Sequence, residues 1–392
     1  MNKLILNTGV QDFINKNLLS DIMSVLLSKP IFEGIGQKEL AEQIEAKKKC
    51  REKLPTWFNA PNIYYPNKLN IEQTSSELTA EYKSQLVHGK SLIDLTGGMG
   101  VDSYYFVRKV LKVFHCEINL GLSTIASHNF KILGQKNITC IPEDGIDFLM
   151  RSDHNFDWAY IDPSRRSDKK GKVFLLEDCL PNVPGHLASI FKKTSNILLK
   201  TSPLLDIKMG VQALGFVKDI FVVAVQNDVK ELLFVLEKGY SGPIQITAAN
   251  IKPNKIDEFT FSLESEPLTN CNYALPSIYL YEPNAAILKS GGFRSVAQAH
   301  GVHKLHVNSH LYSSENLVEF PGRRFKIQQV LPYSKKTLKT LSFSKANITI
   351  RNFPISVAEI RKKHKIKEGG DHYLFFTQDL EENLIVLVCS KI

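Results

Sequence analysis

The chain has 392 residues, carries a formal charge of +9 and has ordinary apolar content for a globular protein. No apolar run approaches the roughly 20 residues that cross a bilayer, and the start lacks a signal peptide's apolar region, so neither a membrane span nor a secretory route is expected. The six scattered cysteines, with no C-x-x-C pair, argue against a disulfide framework and against a metal site. They read as reduced thiols of a cytoplasmic protein. The positive charge suits a polyanionic partner such as RNA.

In chain order, residues 1 to about 85 read as helical. Phe13-Ile14, Leu18-Leu19, Ile22-Met23 and Val25-Leu26-Leu27 recur at helical spacing, and Leu40 and Ile44 begin another helix with a charged run to Lys53. Pro55, Pro61 and Pro66 then break the pattern, and Ser75 or Ser76 caps a helix that follows. From Ser91 short apolar runs alternate with helical ones. Strands are expected at Leu92–Leu95, Lys112–Glu117, Ile138–Asp144, Phe156–Asp162 and Ile197–Lys200, with helices between them. That alternation argues for a parallel sheet with helices on both faces. Phe216–Gln226 and Val229–Glu237 flank Asn227-Asp228, a turn suited to positive φ, so these two strands pair antiparallel. Residues 244–330 mix strands at Pro243–Thr247, Phe259–Leu263 and Phe325–Val330 with a helical stretch near Asn284–His300. Residues 331–392 form a βαββ unit holding eleven Lys/Arg against six Asp/Glu. Its basic helix, with Arg361-Lys-Lys363, suits either RNA docking or a solvated face.

In an open α/β sheet, ligands bind beyond the carboxyl ends of the strands. Asp94 ends the first strand and leads into Leu-Thr-Gly-Gly-Met-Gly, where glycines allow a sharp turn and close approach of a ligand. Glu117 ends the second strand, about 20 residues on, where an acid accepts from ribose hydroxyls. Asp144 ends the third, and Asp162-Pro-Ser-Arg-Arg166 ends the fourth. A carboxylate at Asp162 can accept from, orient or deprotonate an N–H or O–H. Arg165 and Arg166 either bind substrate phosphates or salt-bridge within the loop. Lys200 lies on the same rim, after the fifth strand.

The segments Gln73–Lys83, Asp94-Leu-Thr-Gly-Gly-Met-Gly-Val-Asp102, Ile161-Asp-Pro-Ser-Arg-Arg166 and Leu280-Tyr-Glu-Pro-Asn-Ala-Ala-Ile-Leu-Lys289 resemble a family of uncharacterised bacterial class I S-adenosylmethionine (SAM) methyltransferases. These carry a ferredoxin-like segment and a C-terminal THUMP-like domain. The tail, with Ile350-Arg-Asn-Phe-Pro354, Lys367-Glu-Gly-Gly370 and Tyr373-Leu-Phe-Phe376, is similar to the THUMP-like part. The resemblance covers most of the chain and implies SAM as cofactor. Residues implied to bind it are Thr79, Asp94, Thr96, Gly97, Gly98, Gly100, Glu117 and Asp144, with amides of the glycine turn near the amino-acid end and Asp144 at the adenine amine. Ser76, Thr79 and Tyr82 either reach the methionine end or belong to a helix that packs on the sheet. Asp162, Pro163, Arg165 and Lys200 are the implied catalytic group. Ser164-Arg165 stands where base-amine methyltransferases carry Pro-aromatic, a departure that weighs against amine methylation. No cysteine lies in the Asp162 loop, which weighs against covalent C5 methylation. THUMP domains proper bind RNA in tRNA-modifying enzymes, so tRNA or rRNA is the implied substrate class.

The expected fold is α/β: a Rossmann-like, seven-stranded class I methyltransferase sheet with an antiparallel last strand. The expected domains are a helical region over 1–85, the methyltransferase domain over 86–240, a ferredoxin-like α+β domain over 241–330 and a THUMP-like domain over 331–392. Alternative readings are a methyltransferase of protein or small molecules and a non-catalytic SAM- or RNA-binding protein.

Overall fold

The computed structural model describes residues 1–165, 175–334, 336–337 and 344–392, with the side chain of Arg165 outside the description. Arg166, Lys335 and Lys339 lie outside the described residues. Two compact units divide the chain: Met1–Lys218 with Leu232–Ser241, and Asp219–Glu231 with Gly242–Ile392.

Six helices lead the first unit: α1 (Thr8–Lys16), α2 (Ile22–Leu26), α3 (Gln37–Lys53), α4 (Pro55–Asn59), α5 (Lys68–Gln73) and α6 (Glu77–Ser84). The α/β part follows as β1 (Gly89–Asp94), α7 (Val101–Phe106), β2 (Val110–Cys116), α8 (Leu120–Ile132), β3 (Ile138–Ile141), α9 (Gly145–Arg151) and β4 (Phe156–Ile161). After β5 (Ser164–Arg165) and β6 (Cys179–Leu180) come α10 (Val183–Ile190), β7 (Thr194–Thr201), α11 (Ile207–Leu214), β8 (Val217–Val225) and β9 (Asp228–Glu237). β1 pairs parallel with β2 and β4, β3 extends β2, and β7 extends β4. β9 pairs antiparallel with β7, the reversed last strand that the Asn227 turn implies. The turn itself falls one residue earlier than expected, with Gln226 and Asn227 both at positive φ.

The N-terminal helices matter to the site because they are fastened to the sheet's own helices. Trp57, Ile63, Tyr65 and Ile71 share one core with Val101, Tyr104, Tyr105 and Phe130. The Asn129 side chain bonds both the amide and the carbonyl of Tyr64, at 3.0 and 2.9 Å. This packing brings the end of α5 to the carboxyl ends of the strands. Ser76, not Ser75, caps α6, accepting from the Thr79 amide at 3.2 Å.

Among the described residues the sheet has nine strands, in the order β11-β10-β8-β9-β7-β4-β1-β2-β3, not seven. β10 (Gln245–Lys252) pairs parallel with β8, and β11 (Lys255–Ser262) pairs antiparallel with β10. The sequence pattern alone assigns these residues to the ferredoxin-like domain expected over 241–330. The physical reason is edge covering: a buried, apolar β8 left as an edge would expose a row of unpaired backbone groups.

The rest of the second unit is built on another sheet, in the order β13-β14-β12-β15-β18-β17-β16. Its elements are β12 (Tyr279–Pro283), α12 (Ala285–Ser290), α13 (Phe293–His300), β13 (His303–Lys304), β14 (Tyr312–Ser314), β15 (Gly322–Pro332), β16 (Asn347–Ile350), α14 (Val357–His364), β17 (His372–Gln378) and β18 (Leu384–Lys391). The expected helix over 284–300 is two helices, broken at Gly291 with φ +84°. The C-terminal βαββ pattern forms as read: β16 and β17 are parallel across α14, and β18 returns antiparallel between β17 and β15. The boundary expected near residue 330 falls inside β15. No described helix is long and apolar enough to cross a membrane.

Candidate functional site

Strand order reverses between β1 and β4, and the loops beyond their carboxyl ends open a cavity of about 660 Å³. The glycine turn forms its floor. Gly98 has φ +58°, and a Cβ there would meet nothing closer than 3.9 Å, so that face is open. Gly97 is tightly required: its Cβ would stand 2.4 Å from the His115 ring. Burial pushes that imidazole down to about 4, so His115 sits neutral beneath the turn.

The strand-end acids divide into two kinds. Asp94 is buried under the turn and does not line the cavity. It accepts from the Thr96 amide at 3.1 Å and from Ser103 Oγ at 2.7 Å. Burial raises its carboxyl to about 7, against those two hydrogen bonds. Glu117 and Asp144 do line the cavity. Glu117 accepts from the amides of Gly98 and Asn119, at 2.8 and 2.7 Å, one on each oxygen. Asp144 caps α9 with one oxygen, accepting from Ile146 and Asp147 at 2.8 and 3.0 Å. A carboxylate has about four lone-pair sites, so both keep capacity for a ligand.

The fourth strand end brings Asp162 to the rim. Its amide donates to Thr96 Oγ1 at 2.7 Å, tying β4 to the glycine turn. Its carboxylate is ion-paired with Lys200 of β7. Pro163 and Ser164 line the same wall, and Leu180 and Pro181 join them from β6, which pairs antiparallel with β5. The Asp-Pro-Ser-Arg departure therefore leaves the strand as a short ribbon, with an apolar wall of Leu180 and Pro181.

Several sequence expectations change here. Gly100 does not line the cavity; a Cβ on it would stand 2.3 Å from the Phe130 ring, so it serves packing. Thr79 is buried away from the cavity, with its hydroxyl on the Ser76 carbonyl at 3.1 Å. The turn amides are engaged internally: Gly97 donates to Cys116, Gly98 to Glu117 and Gly100 to Gly97. These three amides are therefore not free for a ligand. Thr96, Gly97, Gly98, Glu117, Asp144, Asp162, Pro163 and Lys200 do come together around one cavity.

Sequence reasoning missed Asp102. It lines the cavity and accepts from Ser75 Oγ and Tyr160 Oη, each at 2.8 Å, and pairs with the fully buried Lys83 at 3.2 Å. Burial alone would raise its carboxyl; the charges of Lys83 and Lys200 and the two hydroxyls outweigh burial and hold it below the usual range. The signal was present as a motif residue in Gly-Val-Asp102, but an acid in a helix's first turn reads as a dipole partner.

Comparisons place this geometry in a family. Residues 279–321 match a ferredoxin-like domain and residues 322–391 a THUMP-like domain. No curated protein matches the sequence. The structure of a candidate methyltransferase from Porphyromonas gingivalis W83 is 31% identical, covers 99% of this chain and 98% of that one, and superposes with a TM-score of 0.89. M. capricolum TrmK, solved with S-adenosyl-homocysteine (SAH), is 17% identical over 41% of this chain and 68% of that one, with a TM-score of 0.31. An rRNA methylase from Streptococcus thermophilus is 14% identical over 41% of this chain and 94% of that one, also with a TM-score of 0.31. With near-complete mutual coverage by the P. gingivalis protein, the chain belongs to its family, methyltransferase-fold proteins whose C-terminal part carries a ferredoxin-like and a THUMP-like domain.

Proposed function

We propose that the protein is a SAM-dependent methyltransferase acting on structured RNA. The observation that carries this reading is one cavity lined by Glu117, Asp144 and Asp102 together with the Asp162–Lys200 pair. The carboxylate acceptors fit the cofactor's hydroxyls and amino groups, and the open face of Gly98 is a cradle that any side chain would fill. Glu117 would receive the ribose hydroxyls, Asp144 the adenine amine, and the ionised Asp102 the α-ammonium of the methionine end. SAM, when bound, supplies a methyl group on a positively charged sulfur.

The chain's own part is acceptor orientation. Lys200 is ion-paired with the Asp162 carboxylate, and the bond to Thr96 fixes the strand end that carries it. Asp162 can then take a hydrogen bond, and finally a proton, from the N–H or O–H of the acceptor. Pro163, with its fixed φ, turns the following ribbon away from the strand. RNA as substrate class is supported by the THUMP-like match and the positive charge of the chain.

Calorimetry with SAH tests the cofactor. Wild type should bind, and Glu117→Ala should bind about 1.5–3 kcal/mol more weakly, the range for hydrogen bonds to a charged group. Absence of SAH binding to the wild type would sink the assignment. Mass spectrometry of RNA nucleosides from cells with and without the protein identifies the methylated product.

A further inference from the structure

The motif Leu280-Tyr-Glu-Pro-Asn is not used by the cavity. Its acid, Glu282, lies on β12 in the second unit, with a side chain only 4% exposed. Arg323 stands directly opposite it on β15. Arg323 Nε donates to Glu282 Oε2 at 2.6 Å, and its Nη2 pairs with the same oxygen. Arg351, just past β16, donates from Nη2 to the other oxygen, Oε1, at 2.8 Å. One buried carboxylate thus spreads two guanidinium groups, one on each oxygen.

The backbone fixes both. Arg323 is set by the strand register, and the Arg351 amide donates to the Phe376 carbonyl at 2.9 Å. The next residue, Asn352, has φ +50°, and its side-chain Nδ2 is 3.0 Å from His306 Nδ1 and donates to Gln378 Oε1 at 2.8 Å. The arginine side chains remain 39% and 34% exposed.

One arginine would neutralise Glu282. The second adds a positive charge, and among the described residues Glu282 is the one carboxylate paired with either arginine, although Arg323 also lies over the Phe325 ring at 5.5 Å. Two guanidinium groups carry about ten N–H donors. Only Nε and Nη2 of Arg323 and Nη2 of Arg351 reach Glu282, and Thr349 Oγ1 accepts a long bond from Arg323 at 3.4 Å. Arg351 Nε is buried and meets no acceptor among the described residues. The nearby His310, held low first by burial and then by the charges of Lys304 and Arg351, sits in the same positive surroundings.

The geometry points to a phosphate-binding fork: Arg323 and Arg351, organised on Glu282, receive a phosphodiester of the RNA. The arrangement matches the planar, bidentate way in which arginine holds phosphate oxygens. The phosphodiester assignment rests on the RNA reading above; the phosphate chemistry does not.

The test uses the full chain, labelled bulk tRNA and, separately, inorganic phosphate. Arg323→Gln and Arg351→Gln each leave Glu282 one guanidinium partner. Each should weaken tRNA binding about ten-fold and flatten the log–log salt slope by about 0.7–0.9, with SAH binding unchanged. Glu282→Gln should also weaken it, although it adds positive charge; stronger binding by that variant would mean bulk charge without a fork and overturn the site. If a glutamine variant fails to fold, Arg351→Lys keeps the charge on Glu282 and should still lose affinity. Phosphate bound by wild type and lost in the variants, with tRNA binding unchanged, keeps the site and assigns it to a free anion. A wild type that binds no tRNA defeats the RNA reading alone, and the phosphate titration then decides the fork. Folded variants equal to wild type toward both probes overturn it.

Discussion

Asp162 carries an ion pair to Lys200 and stands at the cavity rim. If it orients and deprotonates the acceptor, Asp162→Asn should lower turnover by about 10²–10⁴-fold, with SAH affinity little changed. An unchanged rate would leave Asp162 as a brace for Lys200. Asp94 offers a second, pH-based check. Burial raises its carboxyl from 3.8 to about 7, so the neutral acid is the form the fold prefers. The stability this contributes is full below pH 3.8 and is lost as pH rises through about 7. Asp94→Asn cannot ionise, so its melting temperature should gain on the wild type between pH 5 and pH 8. A difference that stays constant with pH would remove the claim. The acids at strand ends were legible in the sequence because the strands themselves locate them. Asp102 was not, because its role depends on Lys83 and Tyr160, partners that no sequence period brings to it. Thr79 was misplaced for a similar reason: which face of a short helix meets the cavity is set by packing on α7, not by the sequence of α6.

At the scale of elements, the alternation after Ser91 and the Asn227 turn were enough to give the parallel strands and the reversed β9. What they could not give was the sheet's far edge. β10 and β11 carry the same alternating pattern whichever sheet they join, and only the buried edge of β8 decides between them. The same limit applies to β15, which runs through an expected domain boundary because it stays paired with β18 from Phe325 to Pro332, across a register shift between Ile327 and Gln329. The helix α14 starts on a signal written in the sequence: Ser356 and Glu359 form a reciprocal capping box. Its basic triplet reads as one patch in sequence and is not one in space. Arg361 turns inward to the carbonyls of Ala346 and Ile366, at 3.3 and 3.4 Å. Lys363 reaches Tyr333 Oη at 3.1 Å, and Lys362 is exposed. Reversing all three charges would therefore damage the fold, so a test of docking is confined to Lys362 and Lys363.

For the whole molecule the discriminating quantity is the salt dependence of RNA binding. A net charge of +9 attracts any polyanion, but a diffuse charge and a set of phosphate contacts respond differently to mutation. Among the described residues the exposed or half-exposed cations of the second unit include Arg323, Arg351, Lys336, Lys362 and Lys363, taken as the contact set. If each neutralises one phosphate, the log–log slope of tRNA affinity against salt should be about −3.5 to −4.5, counting 0.7–0.9 per contact. Reversing Lys362 and Lys363 to Glu should flatten that slope by about 1.4–1.8 and leave SAH binding intact, since the cavity belongs wholly to the first unit. Salt titrations of labelled tRNA against full-length wild type and the Lys362→Glu, Lys363→Glu double variant make the comparison. Weaker binding with an unchanged slope would mean that the lysines act through long-range charge alone. Salt-insensitive binding by the wild type would place recognition in base stacking or shape, and binding too weak to measure at low salt would shift the substrate from RNA to a protein or a small molecule.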